Sequence, residues 1–257
     1  MLNINQLVAI SQGEQAFEVD HLNALLAHLG LIMPLINALP NVTFFVKNTE
    51  ARYQLANEHL AKRCKVGHLK NIIGKRAEDV FHYDLGLGYT EQDHGVMRSK
   101  KRISNQLELH SYQSGLLGWC LTTKVPILDR KQNVVGVAGI SVDLQDEKLI
   151  RPNINAKLSR VEKYISQKFD TAIKVQHLAE LAELSVSQLD RQFKSIFQMT
   201  PQQLIQKKRL EYAIELLAQN LSITEIASRC GYTDHSAFSR KFKELTTLTP
   251  SQFKKRL

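Results

Sequence analysis

Hydrophobic positions at helical spacing run through about the last hundred residues of the chain, and the pattern occurs twice. In each copy, a short helix with a small Ala precedes a tight turn and a second helix that has one apolar stripe and one polar face. Ala179 in the first copy corresponds to Ala227 in the second, and Phe193 corresponds to Phe242. This internal repeat predicts two helix-turn-helix units.

The starts of these helices carry capping boxes, in which a Ser or Thr and a Gln or Glu three residues later accept each other's backbone amide hydrogens. Pro201 and Pro250 also suit the first helical position. Residues 201–219 predict one amphipathic connecting helix, roughly 27 Å long at about 1.5 Å per residue, which is comparable with one turn of duplex DNA. The four boxes pair Ser185 with Gln188, Thr200 with Gln203, Ser222 with Glu225, and Thr249 with Gln252.

The turn between the two helices differs between the repeats. Gly231 suits a left-handed turn at the end of the first helix, because glycine has no side chain to clash there. The first repeat has Glu183 at this place. We therefore expect its turn to be more strained or differently built.

Residues 41 to 143 alternate between apolar and polar positions, as the strands of a small antiparallel sheet do. The order is two strands, several short helices and then three strands, the last two joined by a hairpin loop at 129–133. The predicted strands are 43–47, 52–57, 103–112, 116–128 and 134–144, and the predicted helices are 58–64, 76–81 and 90–101.

A further apolar stripe precedes this sheet. Within residues 20–39, apolar side chains recur at helical spacing, so the segment is predicted to be a helix. Its stripe packs on the sheet of its own domain or pairs with a second subunit, and it is too short to decide between the two. The stripe consists of Leu22, Leu25, Leu26, Leu29 and Ile36.

Charge is divided unequally along the chain. From Asn153 onward there are 17 Lys and Arg against 10 Asp and Glu, whereas the first 152 residues hold 17 against 15. Most of the net charge of +9 therefore lies in the region of the repeats, as a domain that binds a polyanion requires.

Cysteine content and hydropathy indicate the compartment. Cys64, Cys120 and Cys230 have neither paired-ligand spacing nor an even count, so we expect reduced thiols in a cytoplasmic protein. No apolar run approaches the ~20 residues of a membrane span, and no signal peptide is recognisable. We predict no membrane association and no metal site.

The repeats resemble the AraC/XylS family of bacterial transcription regulators. The resemblance covers residues 158–257 and rests on KKRLEYAIELL, from Lys207, and on ITEIASRCGYTDHSAFSRKFKELTTLTPSQFKK, from Ile223. It implies double-stranded DNA as the ligand and RNA polymerase as a partner. The family's base-facing positions fall on Ser187, Gln188, Arg191, His235, Ser236, Ser239 and Arg240.

These side chains suit base reading, because Arg can grip guanine and Gln adenine through two hydrogen bonds each. Phosphate contacts need only positive charge near the backbone of the duplex. For any single Lys, a solvated helix surface is the better explanation, but it does not explain the repeat as a whole. The phosphate candidates are Lys194, Lys207, Lys208, Arg209, Lys241 and Lys243.

The N-terminal region resembles PAS domains of bacterial sensors over about 100 residues. The runs FVKNTEARYQLAN, NIIGKRAEDVF and WCLTTKVPILDRKQNVVGVAGISVDL carry the resemblance. It implies a cupped sheet with a sensory or dimerising role. Asp143 stands where the family has the Asp of a closing Asp-x-Thr, and we expect it to couple the domains by capping the outgoing segment.

A ligand pocket in this domain would take apolar residues from one face of the strands, although the same residues also suit a plain hydrophobic core. His82 and His94 lie in polar contexts, and Cys64 lies outside the motif of flavin photosensors, so we predict no cofactor. The pocket candidates are Phe45, Leu55, Phe81, Val96, Leu107, Leu109, Trp119, Leu121 and Thr123.

The sequence therefore predicts an α+β chain with four parts: a helical segment at 1–40, a PAS domain with a five-stranded antiparallel sheet at 41–144, a linker at 145–155, and an all-α double helix-turn-helix domain at 156–257. The expected function is a DNA-binding transcription regulator, an activator, controlled by a signal or small ligand at the PAS domain. In the alternative, that domain only forms a homodimer or binds a protein partner. An enzyme fused to a DNA reader would need a zinc-binding Cys cluster with an activated thiol, which the chain lacks, so we expect no enzymatic activity.

Overall fold

The computed structural model describes residues 17–19, 22–64, 66–81, 83–111, 117–144 and 156–255. The chain divides into two compact units, Met1–Asp143 and Leu144–Leu257. The predicted linker at 145–155 lies outside the described residues.

The first unit is built on one sheet whose strands follow the order β3-β2-β6-β5, with β4 and the short β1 both paired to the far edge of β5. The five predicted antiparallel strands are confirmed, and β1, parallel to β5, is an addition that the sequence did not indicate. The strands are β1 Phe17–Val19, β2 Val42–Asn48, β3 Tyr53–Ala56, β4 Ile103–Ser111, β5 Leu117–Asp129 and β6 Val134–Asp143.

The helices of this unit are α1 Leu22–Ala38, α2 Glu58–Arg63, α3 Ala77–Val80 and α4 Tyr83–Ser99, with a 3-10 turn at Leu69–Asn71. Helix α4 begins seven residues before the predicted start at 90. Gly86 and Gly88 weakened the helical pattern there, since glycine disfavours helix interiors. A Cβ on Gly86 would lie 2.4 Å from the Glu78 backbone, so this glycine is what lets α3 and α4 pack closely.

Different helices pack on the two faces of the sheet. On one face, Leu25 of α1 packs with Val46 and Ile127. On the other, Phe45 and Tyr53 pack with Leu60 and residues of α3. The apolar stripe of α1 therefore packs on its own sheet, while Leu31 and Leu35 on another side of the helix remain 80% and 71% exposed.

The second unit is entirely helical. Leu158, Val161 and Ile165 of α5 join the apolar sides of α6, α7 and α8 in one core. All four predicted capping boxes form, so the predicted double helix-turn-helix with its long connecting helix is confirmed. The helices are α5 Ala156–Lys168, α6 Val175–Leu181, α7 Val186–Phe197, α8 Pro201–Leu217, α9 Ile223–Arg229, α10 His235–Thr246 and α11 Pro250–Lys254.

Both interhelical turns adopt the left-handed conformation, with φ of 56° at Glu183 and 76° at Gly231. The first repeat therefore builds the same turn with a residue that rarely adopts it, as expected for a strained turn. The Glu183 carboxylate pairs with Lys157 at 2.6 Å and Arg160 at 3.6 Å.

Candidate nucleic-acid interface and candidate sensor cavity

Helix α7 is the second helix of the first repeat. Leu189, Phe193 and Phe197 pack in the core and hold the helix in place. The predicted base-reading residues, called readers below, are Ser187, Gln188 and Arg191, and all three are exposed on the other side of the helix. This arrangement leaves the reader side chains on a surface that a groove of DNA could accept.

Gln188 has a second task in the same helix. Its side-chain Oε1 accepts the Ser185 backbone amide at 3.0 Å, and its own backbone amide donates to Ser185 Oγ at 3.3 Å. A bidentate contact with adenine needs both the oxygen and the nitrogen of the Gln amide. Gln188 would therefore have to give up its cap to read adenine in that way.

Helix α10 is the second helix of the other repeat. Phe238 and Phe242 are fully buried, and His235, Ser236 and Arg240 are exposed. Ser239 is half-buried and its Oγ lies 3.4 Å from the His235 ring. The cap of this helix is Asp234, whose carboxylate accepts the Ala237 amide at 2.7 Å, so the predicted readers have no part in capping it.

The predicted phosphate contacts need correction at two positions. The Arg209 guanidinium donates to the backbone carbonyls of Phe169 and Thr171, both at 2.7 Å, and its carbon lies 5.1 Å from the Tyr232 ring centre. It holds the loop before α6 to the second repeat. Lys207 is buried and pairs with Glu211 at 3.2 Å.

The remaining phosphate candidates lie nearer the surface. Lys194 and Lys243 are exposed, and Lys208 and Lys241 are half-buried. Lys241 pairs with Glu244 at 2.6 Å, and Lys208 lies 4.0 Å from Glu211. Exposed pairs of this kind are weak, so a phosphate can compete for these ammonium groups.

The first unit contains a small cavity, partly open to solvent, on the face of the sheet opposite α1. Polar side chains alternate with apolar ones along β4 and β5, and the polar ones line the cavity. The lining residues are Thr43, Phe45, Lys47, Tyr53, Leu60, Arg63, Phe81, Tyr89, Glu108, His110, Cys120, Thr122, Lys124 and Ser141.

Six of the nine predicted lining residues were therefore taken from the wrong face of the sheet, and Val96, on helix α4, lies on the cavity side without lining the cavity; Phe45 and Phe81 do line it. Residues opposite each other in the register share a face: the pairs Leu107–Leu121 and Leu109–Trp119 face away from the cavity, with Thr123, while Glu108 and Cys120 face into it. Alternation fixes two faces but not which one is concave, and both faces here are covered. Leu55 packs on the α1 side, and Val96 packs with Ala51 and Val137.

A buried cluster of charges lies at one end of the cavity. The Lys47 and Lys124 ammonium groups each lie 2.5 Å from a different oxygen of Asp93 on α4. Burial and the Lys124 charge lower the pKa of Lys47 although Asp93 opposes them. Burial alone would raise the pKa of Asp93, but the two lysines outweigh it and hold that pKa below its ordinary value.

Sequence reasoning missed this cluster. Lys47 and Lys124 each lie in a predicted strand beside one valine, Val46 and Val125, and a lysine on a solvent-facing strand position gives the same pattern. Asp93 lies in the polar run EQDHG and gives no signal of burial either.

Asp143 ends β6 and is buried. Its carboxylate accepts from the Arg63 guanidinium and lies 3.2 Å from the His59 ring and 3.3 Å from the His110 ring. Burial, then Arg63 and Lys62, lower the pKa of His59. Asp143 thus ties the last strand to α2 within the first unit, whereas the segment that it was expected to cap lies outside the described residues.

The two buried thiols of the first unit, Cys64 and Cys120, are poor nucleophiles. Burial raises the pKa of Cys120 to about 11 and that of Cys64 to about 12, and a thiol reacts as its thiolate. Within the described residues, no group of three or more His, Cys, Asp or Glu is placed to hold a metal ion. No helix in the described part of the chain is long and apolar enough to cross a membrane.

Comparison with known proteins agrees with the division of the chain into two units. A family model described as "PAS fold" matches residues 36–149, and one described as "Helix-turn-helix domain" matches residues 178–256. The probable transcriptional regulator LumQ of Photobacterium leiognathi is 33% identical over 114 residues, 44% of this chain and 45% of LumQ. The transcriptional activator RhaS of Salmonella schwarzengrund is 34% identical over 99 residues, 38% of this chain and 36% of RhaS.

Among solved structures, the C-terminal domain of AraT, a response regulator from Geobacillus stearothermophilus, is 30% identical and covers 41% of this chain and 88% of its own, with a TM-score of 0.39. The chain spans less than half the length of LumQ and RhaS. It combines a match to a PAS fold with a match to a helix-turn-helix domain, and the proteins to which it is similar include transcriptional regulators.

Proposed function

We propose that this protein is a sequence-specific DNA-binding regulator of transcription, an activator, controlled by a signal or small ligand at its PAS domain. The observation that carries the proposal is the second reader helix. Its side chains His235, Ser236 and Arg240 stand exposed, while Phe238 and Phe242 fix the helix in the core. A rigid helix that presents polar side chains is what base reading in a major groove requires.

Charge supports DNA as the ligand. The residues from Asn153 onward carry 17 Lys and Arg against 10 Asp and Glu. Lys194 and Lys243, next to the reader positions, are exposed for phosphate contact. Binding that uses several such contacts weakens steeply as salt rises, because each contact releases counterions from the duplex.

The activating role and RNA polymerase as a partner rest on kinship. RhaS is described as a transcriptional activator and is similar to this chain over 99 residues. Because its proposed partners, DNA and RNA polymerase, are in the cytoplasm, we expect the regulator to act there.

Control by a ligand is supported by the cavity of the first unit, since it is lined by converging polar groups and aromatic rings. Asp143 is the coupling residue in this proposal. It is the last residue of β6, and its pairing with Arg63 fixes the strand end from which the chain leaves the sheet.

The decisive experiment is selection from random duplexes with the full-length protein. We expect enrichment of one sequence class and an affinity that falls steeply between low and physiological salt. Enrichment of no sequence would refute DNA reading. A transcription assay with purified RNA polymerase on the selected site then separates activation from repression.

A second candidate role of the PAS domain is dimerisation without sensing. The exposed Leu31 and Leu35 on α1 favour it, because large apolar side chains are costly to leave in water. Native mass spectrometry of the full-length protein tests both roles at once. A small molecule that stays bound to the protein supports sensing. Dimerisation alone is supported if the protein is a dimer with no bound molecule and if no cell extract changes transcription from its promoter.

A further inference from the structure

One end of the cavity, here called the lysine end, is formed by Lys47 and Lys124. The groups in contact there hold more positive than negative charge. Lys47, Lys124 and Asp93 are in direct contact, and their side chains are at most 4% exposed. Two ammonium groups share one carboxylate, so with both lysines protonated the three contacting groups carry one net positive charge. Buried charges are normally matched, because removing an unmatched ion from water is strongly unfavourable.

Two further carboxylates near the cavity, Glu78 and Glu108, keep their negative charge but accept hydrogen bonds from other groups. Glu78 influences Lys47 more weakly than Asp93 does, and it accepts the Thr90 hydroxyl at 2.5 Å. Glu108 accepts the Gln92 amide at 2.6 Å and pairs in the register with Cys120. Cys120 is four residues before Lys124 on the same strand, about 13 Å away at roughly 3.3 Å per residue. Glu108 is thus too far along the sheet to neutralise the lysines, and Glu78 offsets their charge only in part.

The rest of the lining also offers donors. Among the described residues, the Tyr89 hydroxyl and the Arg63 Nε are buried without a hydrogen-bond partner, and both residues line the cavity. Aromatic rings complete the lysine end: Lys47 lies 4.2 Å from the Tyr53 ring centre and 5.1 Å from that of Phe45. Unsatisfied buried donors, and two ammonium groups that share one carboxylate, favour an acceptor that carries negative charge.

We propose that the cavity binds a small organic carboxylate, with its carboxylate on the ammonium groups of Lys47 and Lys124 and its body against Phe45 and Tyr53. This inference rests on the proposed sensory function of the PAS domain and names its ligand class. The anion neutralises the lysine cluster, and the hydroxyls of Thr122 and Ser141, which bond to each other at 2.9 Å, line the space beside it.

The test compares carboxylates with their own primary amides, which have nearly the same shape but no charge. Full-length protein is titrated, by ligand-observed fluorine NMR, with 4-fluorobenzoate and 4-fluorobenzamide, and with 4,4,4-trifluorobutanoate and its amide. We expect at least one carboxylate to bind about tenfold more tightly than its amide. Equal binding of acid and amide in both pairs, or no binding of either acid up to about 10 mM, overturns the proposal.

A variant tests the location. Lys124→Met removes one ammonium but keeps the side-chain length, leaving Lys47 and Asp93 as a neutral pair. Lys131→Met, at an exposed position of the β5–β6 hairpin, is the matched control. We expect Lys124→Met to weaken carboxylate binding about tenfold without lowering the melting temperature, and the control to change neither. A Lys124→Met protein that melts earlier or fails to fold means that the cluster is structural only, which contradicts the proposal.

The outcomes separate this inference from the proposed function. If a carboxylate binds through Lys124 and yet leaves the promoter response unchanged, the site is real and the sensory function fails. If no carboxylate binds but another molecule retained by the protein alters the promoter response, the sensory function stands and this inference fails.

Discussion

The two helix-turn-helix repeats build the same left-handed turn in different ways. Gly231 in the second repeat has no room for a side chain, because a Cβ there would lie 2.4 Å from the Asp170 carbonyl oxygen. Glu183 in the first repeat does carry a side chain, and its carboxylate pairs with Lys157 of α5. The fold demands the turn in both repeats, but it demands glycine only where neighbouring backbone fills the space.

The two reader helices, α7 and α10, also differ between the repeats, in the residues that cap their N-termini. The first begins with the Ser185–Gln188 capping box, so a predicted reader also holds the helix start. The second is capped by Asp234, which leaves His235, Ser236 and Arg240 uncommitted to the cap. We therefore expect the second repeat to contribute more to sequence discrimination than the first.

The strongest test of the turn comparison is Gly231→Ala. The variant combines a positive φ with overlap against the Asp170 carbonyl, so it should destabilise the helical unit by about 3 kcal/mol. Thermal unfolding of the full-length protein measures the loss. Glu183→Ala changes the matching turn of the first repeat, where a side chain is already accommodated, and should have a far smaller effect. Equal effects of the two variants would refute the comparison.

The next largest effect is expected from Arg209→Ala. The variant removes two hydrogen bonds to backbone carbonyls and the contact with Tyr232. We expect this to lower the free energy of unfolding by about 2 kcal/mol. Arg209→Lys should not restore stability, because an ammonium cannot reproduce the planar fork of the guanidinium. Lys208→Ala, one residue earlier, is the control and should change stability little. If Arg209→Ala lowered the salt dependence of DNA binding without lowering stability, Arg209 would be a phosphate contact after all.

Local signals carried most of what could be predicted from the sequence. Capping boxes involve residues three apart, and the left-handed turn is fixed by one residue, so Ser222, Glu225 and Gly231 were interpreted correctly without knowledge of the tertiary structure. The lining of the cavity could not be found in this way. The side of the sheet that borders the cavity depends on helices far along the chain, and Asp93 meets Lys47 across 46 positions.

The comparison of the readers predicts a difference between Arg240→Ala and Gln188→Ala. Arg240→Ala should lower affinity for the selected duplex by about 1.5 kcal/mol and relax preference at one or two base pairs, as loss of a bidentate base contact does. Gln188→Ala should change preference less, because its side-chain oxygen serves the cap. Lys243→Ala controls for phosphate contact and should weaken all duplexes alike. Competition assays against single-base variants of the site measure these effects, and the reverse ranking of Arg240 and Gln188 would contradict the comparison.

The smallest expected effect belongs to Glu183→Gly, in which two consequences oppose each other. Glycine relieves the strain of the positive φ, but the variant also loses the pairing with Lys157 and Arg160. The melting temperature should therefore move by less than about 3 °C at neutral pH and low salt. The hydrogen bond and charge of Lys157 hold the pKa of Glu183 below its ordinary value, so the pairing stabilises the fold above the ordinary Glu pKa and is lost as pH falls through the folded pKa. Acid or high salt should thus shift the balance toward the glycine variant. A variant whose melting temperature relative to the parent does not depend on pH or salt would show that the ion pairs of Glu183 have no part in holding the turn.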